Sequence, residues 1–103
     1  MYKQTLLLVN KFPSAYLHLA EQMRRASLSI VLNIAEGSGK LTDKDFNRYL
    51  GNALGSCSEL AAGYDLAQDI GLITGETAVV NLRLLGNVKN QLGGLSKKLS
   101  VVG

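Results

Sequence analysis

The sequence is poor in the residues from which most active sites are built. It holds one histidine, His18, and one cysteine, Cys57, in 103 residues. No His/Cys cluster of metal-binding spacing can be assembled from them, and no intrachain disulfide is possible. With a lone cysteine, a reducing compartment is the default. Tryptophan is absent, and four tyrosines and two phenylalanines are the only aromatics. Leu, Ala and Val must therefore supply most of the burial, which suits helix packed on helix. The apolar run near the N-terminus, Leu6 to Val9, is only four residues long. That is too short for a signal-peptide core or a membrane span, so a cytoplasmic protein with no membrane partner is expected. Strand signals are also missing, with no sustained alternation and no hairpin dipeptide between β-branched runs.

What remains is enough for one domain spanning residues 1–103, since 47% of the residues are apolar. The formal charge is +3, and its distribution is uneven. Residues 1–52 carry seven cations against four acids, whereas residues 53–103 carry four of each. A mildly basic first half is compatible with phosphate binding.

Helical spacing is strong in four segments. The first covers residues 2–12, with Tyr2, Leu6 and Val9 on one face, and Pro13 ends it. Ser14 is then expected to cap a second helix over residues 15–36. Tyr16, Ala20, Met23, Ser27, Ile30 and Ile34 form a bundle-like seam along that helix. A second stripe, Leu17, Leu28, Leu32 and Ala35, lies roughly 120–140° away. This helix therefore needs burial on two sides, the second against a helix of the same chain or against another subunit. Gly37-Ser38-Gly39 is expected to end it through a left-handed glycine.

The third segment covers residues 43–70 behind a Thr42 cap. Phe46, Leu50, Ala53, Cys57, Leu60, Tyr64 and Ala67 alternate spacings of 4 and 3 without a miss. Its opposite face carries Gly51, Gly55, Ser58 and Ala62, where the close approach of another backbone is expected. The fourth covers residues 77–100, with Ala78, Asn81, Leu85, Val88, Leu92, Leu95 and Leu99 as its seam. Gly93-Gly94 predicts a bend or fraying there. Loops of about four to six residues make sequential helices antiparallel neighbours. The expected fold is all-α, an antiparallel up-down four-helix bundle.

No set of residues converges on catalysis, and neither an enzyme nor a cofactor is expected. Cys57 lies on a core seam, where a free cysteine behaves as a small apolar group. His18 reads as a solvated or interface side chain. Asp65 and Asp69 read as a solvated face, with lysines of the fourth helix as partners. Gly37-Ser38-Gly39-Lys40 lacks the strand and spacing of a phosphate loop.

The basic residues Arg24, Arg25, Lys40, Lys44 and Arg48 are the functional candidates. The plain alternative pairs them with Glu21, Glu36, Asp43 and Asp45. Residues 40–48 lie toward the far end of the second helix from Arg24, so one patch is not required. No aromatics interleave with these charges, so base stacking is not supported. Glu36 sits in a last helical turn, where the dipole disfavours an acid, and Arg48 or Lys40 is the expected partner. Asn33 is expected to bond across a helix interface. Leu28, Leu32, Asn33, Glu36, Gly51 and Gly55 are the candidate oligomer or helix-interface residues.

Two ordered motifs then carry a resemblance. QMRRASLSIVLNIAEG (22–37) and DFNRYLGNALGSCSELAAGYDLAQDIGLI (45–73) resemble the four-helix-bundle proteins encoded in intervening sequences of bacterial large-subunit (23S) ribosomal RNA genes. The first motif rests on Arg24, Arg25, Ala26, Ser29 and residues 33–37. The second rests on Phe46, Tyr49, Leu50, Ala53, Gly55, Ser56, Glu59 and Leu60. The similarity covers residues 12–73. It implies a ring-shaped homopentamer, with the chain itself as first partner. It also brings in a distant relative, the accessory protein of diversity-generating retroelements. That relative works with a reverse transcriptase and binds nucleic acid through a basic surface. A nucleic-acid-binding or accessory factor is therefore one expectation, with RNA or DNA as partner. A scaffold holding a partner protein such as a reverse transcriptase is the other.

Overall fold

A computed structural model describes residues 1–102. Its helices are α1 (Tyr2–Val9), α2 (Leu17–Ser38), α3 (Asp43–Asp69) and α4 (Gly75–Val102), with a 3-10 turn at Ser14–Tyr16. No strand occurs among the described residues. At about 1.5 Å per residue, α3 and α4 are roughly 40 Å long. They set the long dimension of a 46 × 21 × 17 Å molecule.

The third helix forms as its sequence dictates. The Thr42 hydroxyl accepts the Asp45 amide at 3.1 Å, and Asp43 and Asp45 occupy the first turn. There the partial positive charge of the helix start favours acids. Six of the seven seam residues, Leu50 to Ala67, are buried, and Phe46 is half-buried. The helix ends in a Schellman motif. The Leu72 amide donates to the Ala67 carbonyl at 2.8 Å, and the Gly71 amide to that of Gln68 at 3.0 Å. Gly71 carries φ +81°, which a side chain would resist. Thr74 caps α4 in the same way as Thr42 caps α3, accepting the Thr77 amide at 3.1 Å.

Four local expectations fail. Ser14 does not cap α2, because the Tyr16 amide bonds the Pro13 carbonyl at 2.9 Å. That bond closes a 3-10 turn with Ser14 inside it. The first helix stops at Val9, and turns then carry the chain to Phe12. Gly39, at the end of α2, is right-handed with φ −88°, so no left-handed glycine closes that helix. Finally, α4 runs through Gly93-Gly94 without a break. Leu92, buried, and Leu99, half-buried, hold it to the core on either side.

Helix α2 packs on α1 and α3, and α3 packs in turn on α4. Between α2 and α3 the matched positions are Met23 with Gly63, Ser29 with Ser56, and Gly37 with Tyr49. Between α3 and α4 they are Tyr64 with Asn81, Ser58 with Lys89, and Asn47 with Ser96 and Ser100. In both pairs, residue numbers fall along one helix as they rise along the other. The short α1 joins through Thr5, whose hydroxyl shares a buried 2.7 Å hydrogen bond with that of Tyr64. Every buried side-chain nitrogen or oxygen among the described residues has a hydrogen-bond partner.

Candidate nucleic-acid interface

The structure divides the five candidate cations into two groups. Arg24 and Arg25 lie in the middle of α2. The Arg24 guanidinium donates to Asn10 Oδ1 at 2.8 Å, which ties α2 to the end of α1. Arg25 is exposed. Lys40, Lys44 and Arg48 surround the turn from α2 to α3. About thirteen helical residues separate the groups, roughly 20 Å of rise. They do not form one patch within a chain.

The turn group contains an aromatic ring that the charge pattern alone did not reveal. Lys40 Nζ lies 5.2 Å from the centre of the Tyr49 ring, and the Arg48 guanidinium carbon lies 4.9 Å from it. Both distances suit cation–π attraction. Tyr49 stands beside Arg48 in the sequence, so the signal was present and the expectation of no interleaved aromatic is corrected. The ring is fixed from behind, because Tyr49 Cβ packs against Gly37.

Ion pairing accounts for little of this charge. Arg48 reaches Asp45 at 3.9 Å, with both side chains more than half exposed, and this is the one ion pair among the described residues. Such an exposed pair contributes little. Glu36 does not pair with Arg48 or Lys40; it receives a long 3.5 Å hydrogen bond from the Tyr49 hydroxyl. The two cations are held over the ring face, which leaves the phenol oxygen to meet the carboxylate. Lys89, opposite α3, donates to Ser58 at 3.3 Å rather than to Asp65 or Asp69.

The interface candidates also sort differently from expectation. The Asn33 amide bonds back within α2, to the Ser29 carbonyl at 2.8 Å and its hydroxyl at 3.0 Å. The crossing to α3 is made by Ser29, whose hydroxyl meets that of Ser56 at 2.8 Å. A Cβ on Gly51 or Gly55 would meet nothing within 4 Å, so no backbone among the described residues approaches there. The close approaches fall at Gly37 and Gly63 instead, where a Cβ would lie 2.7 Å from Tyr49 Cβ and from Met23 Cγ respectively. Leu28 and Leu32 are 40% and 54% exposed, with Val31 exposed between them. No helix among the described residues covers the second stripe of α2.

Chemistry of the catalytic kind finds little support in the geometry. Cys57 is fully buried, and burial pushes its thiol above the ordinary range, with Lys89 opposing weakly. A thiol held protonated in this way is a poor nucleophile. Among the described residues, no three His, Cys, Asp or Glu side chains gather to hold a metal ion. Nor is any helix among them long and apolar enough to cross a membrane.

Comparison with curated proteins returns no match. The model of the 23S rRNA-intervening sequence protein family matches residues 1–94. The match extends the similarity of residues 12–73 through the first helix and across most of α4. The chain therefore belongs to the 23S rRNA-intervening sequence protein family.

Proposed function

We propose that this chain is a non-enzymatic, cytoplasmic nucleic-acid-binding or accessory protein, one up-down four-helix domain per subunit, working as a ring-shaped homopentamer. The observation that carries the reading is the state of its cations. Of Arg24, Arg25, Lys40, Lys44 and Arg48, only Arg48 has an acidic partner among the described residues, and that pair is exposed. Arg25 and Lys44 are exposed and open to phosphates, Lys40 lies over Tyr49, and Arg24 is tied to Asn10. Lys40 and Arg48 lie over the Tyr49 ring, which gathers their two charges at the turn from α2 to α3. Five copies would carry about +15 and repeat the cations around one axis. Leu28 and Leu32, exposed on α2, give a neighbouring subunit surface to cover.

Fluorescence anisotropy with single-stranded RNA and duplex DNA tests this. Binding should weaken steeply with salt, by about 10³-fold between 50 and 200 mM if six or more phosphates are contacted. Replacing all five cations with Glu should abolish it. The triple variant Arg25→Glu, Lys40→Glu, Lys44→Glu spares the Arg24–Asn10 and Arg48–Asp45 contacts and should weaken it strongly. Unchanged affinity in a folded variant refutes the reading.

The exposed stripe of α2 favours a second reading, a scaffold that holds a partner protein such as a reverse transcriptase. Copurification of a reverse transcriptase after nuclease treatment, lost on Leu28→Glu with Leu32→Glu, would select it.

A further inference from the structure

Charge is distributed unevenly along the bundle. At one end α2 stops, the chain turns, α3 starts and α4 finishes. Gly37 of α2 meets Tyr49 there, and Asn47 of α3 bonds to Ser96 and Ser100 of α4. At the other end, residues 17–23 and 60–82 carry Glu21, Asp65, Asp69 and Glu76 and no lysine or arginine.

The turn from α2 to α3 is not basic by itself. Lys40, Lys44 and Arg48 share it with Glu36, Asp43 and Asp45, three charges of each sign. The excess comes from α4. Lys97 and Lys98 stand between Ser96 and Ser100, both exposed and neither with an acidic partner among the described residues. The two serines hold this stretch against α3. The Ser100 hydroxyl accepts from the Asn47 side-chain amide at 2.9 Å, and the Ser96 hydroxyl donates to Asn47 Oδ1. With the two lysines added, this end holds five cations against three acids. Both lysines lie beyond residues 1–94, the part shared with the family.

We infer that this end is the face that takes nucleic acid, that Lys97 and Lys98 give it its positive sign, and that it grips the phosphate backbone of a duplex. The inference rests on the nucleic-acid reading above and adds the face and the form of nucleic acid. Three observations carry it. The first is the sign of the two ends. A duplex holds about one negative charge per 1.7 Å of its axis, so it is drawn to surplus cations and turned away from an end with uncompensated acids.

The second is breadth. Lys40 belongs to the α2 side of α3, and Lys97 and Lys98 belong to the α4 side. Packed helix axes lie about 8–10 Å apart, which sets these two groups of cations on the order of 15–20 Å from each other. One face can then touch both strands across a groove about 6–12 Å wide.

The third is the engagement of the aromatic rings. Proteins grip single strands by stacking unpaired bases on rings. Both rings that α3 carries at this end already have partners. Phe46 packs against Gly37, and Tyr49 lies under Lys40 and Arg48. What the end presents is charge, which recognises a backbone rather than a base.

Fluorescence anisotropy tests this with a DNA duplex of about 20 base pairs, the matching RNA duplex and the separate strands of each, at about 50 mM salt. A duplex should bind at least tenfold more tightly than its strands. Lys97→Glu with Lys98→Glu should weaken duplex binding at least tenfold. The same variant should lower the slope of log K against log salt by about two, one for each lost phosphate contact. Arg25→Glu, midway along α2, should weaken binding about threefold or less. Circular dichroism checks that each variant keeps its helices, and Lys97→Ala with Lys98→Ala should show the same loss in smaller measure. Preference for either duplex over its strands supports the inference, and comparing the two duplexes separates DNA from RNA. A wild type that binds none of the probes defeats the nucleic-acid reading and this inference with it. Binding that favours single strands, that survives the lysine reversals, or that falls as far with Arg25→Glu overturns the inference and leaves the nucleic-acid reading standing.

Discussion

Replacing Gly37 with Ala should destabilise the protein although alanine is the better helix former. The new Cβ would lie 2.7 Å from Tyr49 Cβ and 3.0 Å from Phe46 Cδ1. Ordinary carbon contacts lie at about 3.5–4.0 Å, so the overlap with Tyr49 is about 1 Å. Tyr49 Cβ is bonded to the α3 backbone and cannot swing aside. Relief requires α2 and α3 to separate at the turn. Forcing one methyl into packed structure costs about 1–3 kcal/mol. Alanine returns at most about 1 kcal/mol of helix propensity, and less in a last turn. The expected net loss is about 1–2 kcal/mol, or roughly 4–16 °C in Tm for a domain of this size. Gly63→Ala should cost less, because Cγ and Sδ of Met23 can rearrange. Gly51→Ala and Gly55→Ala should each gain about 0.5–1 kcal/mol, since their Cβ atoms enter open space. Urea unfolding at one fixed protein concentration measures the series. A Gly37→Ala protein as stable as wild type, with an unchanged m-value, would refute the packing argument. A loss at Gly55→Ala would put a neighbouring chain against α3.

Tyr64→Phe removes a buried hydroxyl shared with Thr5 and should cost about 1–2 kcal/mol. Adding Thr5→Val should then cost little more, which a double-mutant cycle in urea would show. Burial raises both the Cys57 thiol and the Tyr64 phenol above their ordinary values, with Lys89 and the Thr5 bond respectively opposing. The folded chain thus keeps these protons at a pH where the unfolded chain loses them. Stability should fall as pH rises through the unfolded values, about 8.5 and then about 10, with Cys57→Ala removing the first part of the decline. Cys57 should also resist a thiol reagent at pH 8 until the protein is unfolded. Glu36→Gln should be neutral or stabilising by about 0.3–0.5 kcal/mol, since it lifts a carboxylate from a helix C-terminus and loses only a 3.5 Å contact; thermal melts would detect a loss if the Tyr49 bond matters more.

The helices were legible because their seams repeat within one segment. The run from Leu50 to Ala67 reports its buried face by spacing alone, and Thr42 announces the start of α3 by type and position. What was not legible depends on which residue of one helix meets which of another. Spacing marked Gly51 and Gly55 as a small-residue face, yet the glycines that admit a neighbour are Gly37 and Gly63. Their partners, Tyr49 and Met23, lie on a different helix, and only the docked register pairs them. Asn33 shows the same limit at the candidate site. A polar residue at a flank can bond across an interface or back along its own turn, and Ser29 one turn earlier decided for the second. Tyr49 was missed for another reason. It is adjacent to Arg48 in the chain, so that contact was open to reading, whereas Lys40 joins it only through the turn between α2 and α3.

The brevity of α1 has a consequence for how the fold opens. Eight residues are fewer than the twelve to fifteen or so at which an isolated helix begins to persist in water. The first helix therefore exists only while docked, held by Thr5 and Val9 in the core and by the Asn10–Arg24 bond at its end. Its amides should exchange with solvent at a much lower free energy than those of α3, which is packed on both sides. Each such excursion would lift one wall from the apolar groove that α1 forms with Val80 and Leu84 of α4 and leave Tyr64 without Thr5, while the three long helices stay together. Anything that covers that groove would slow exchange in α1 first.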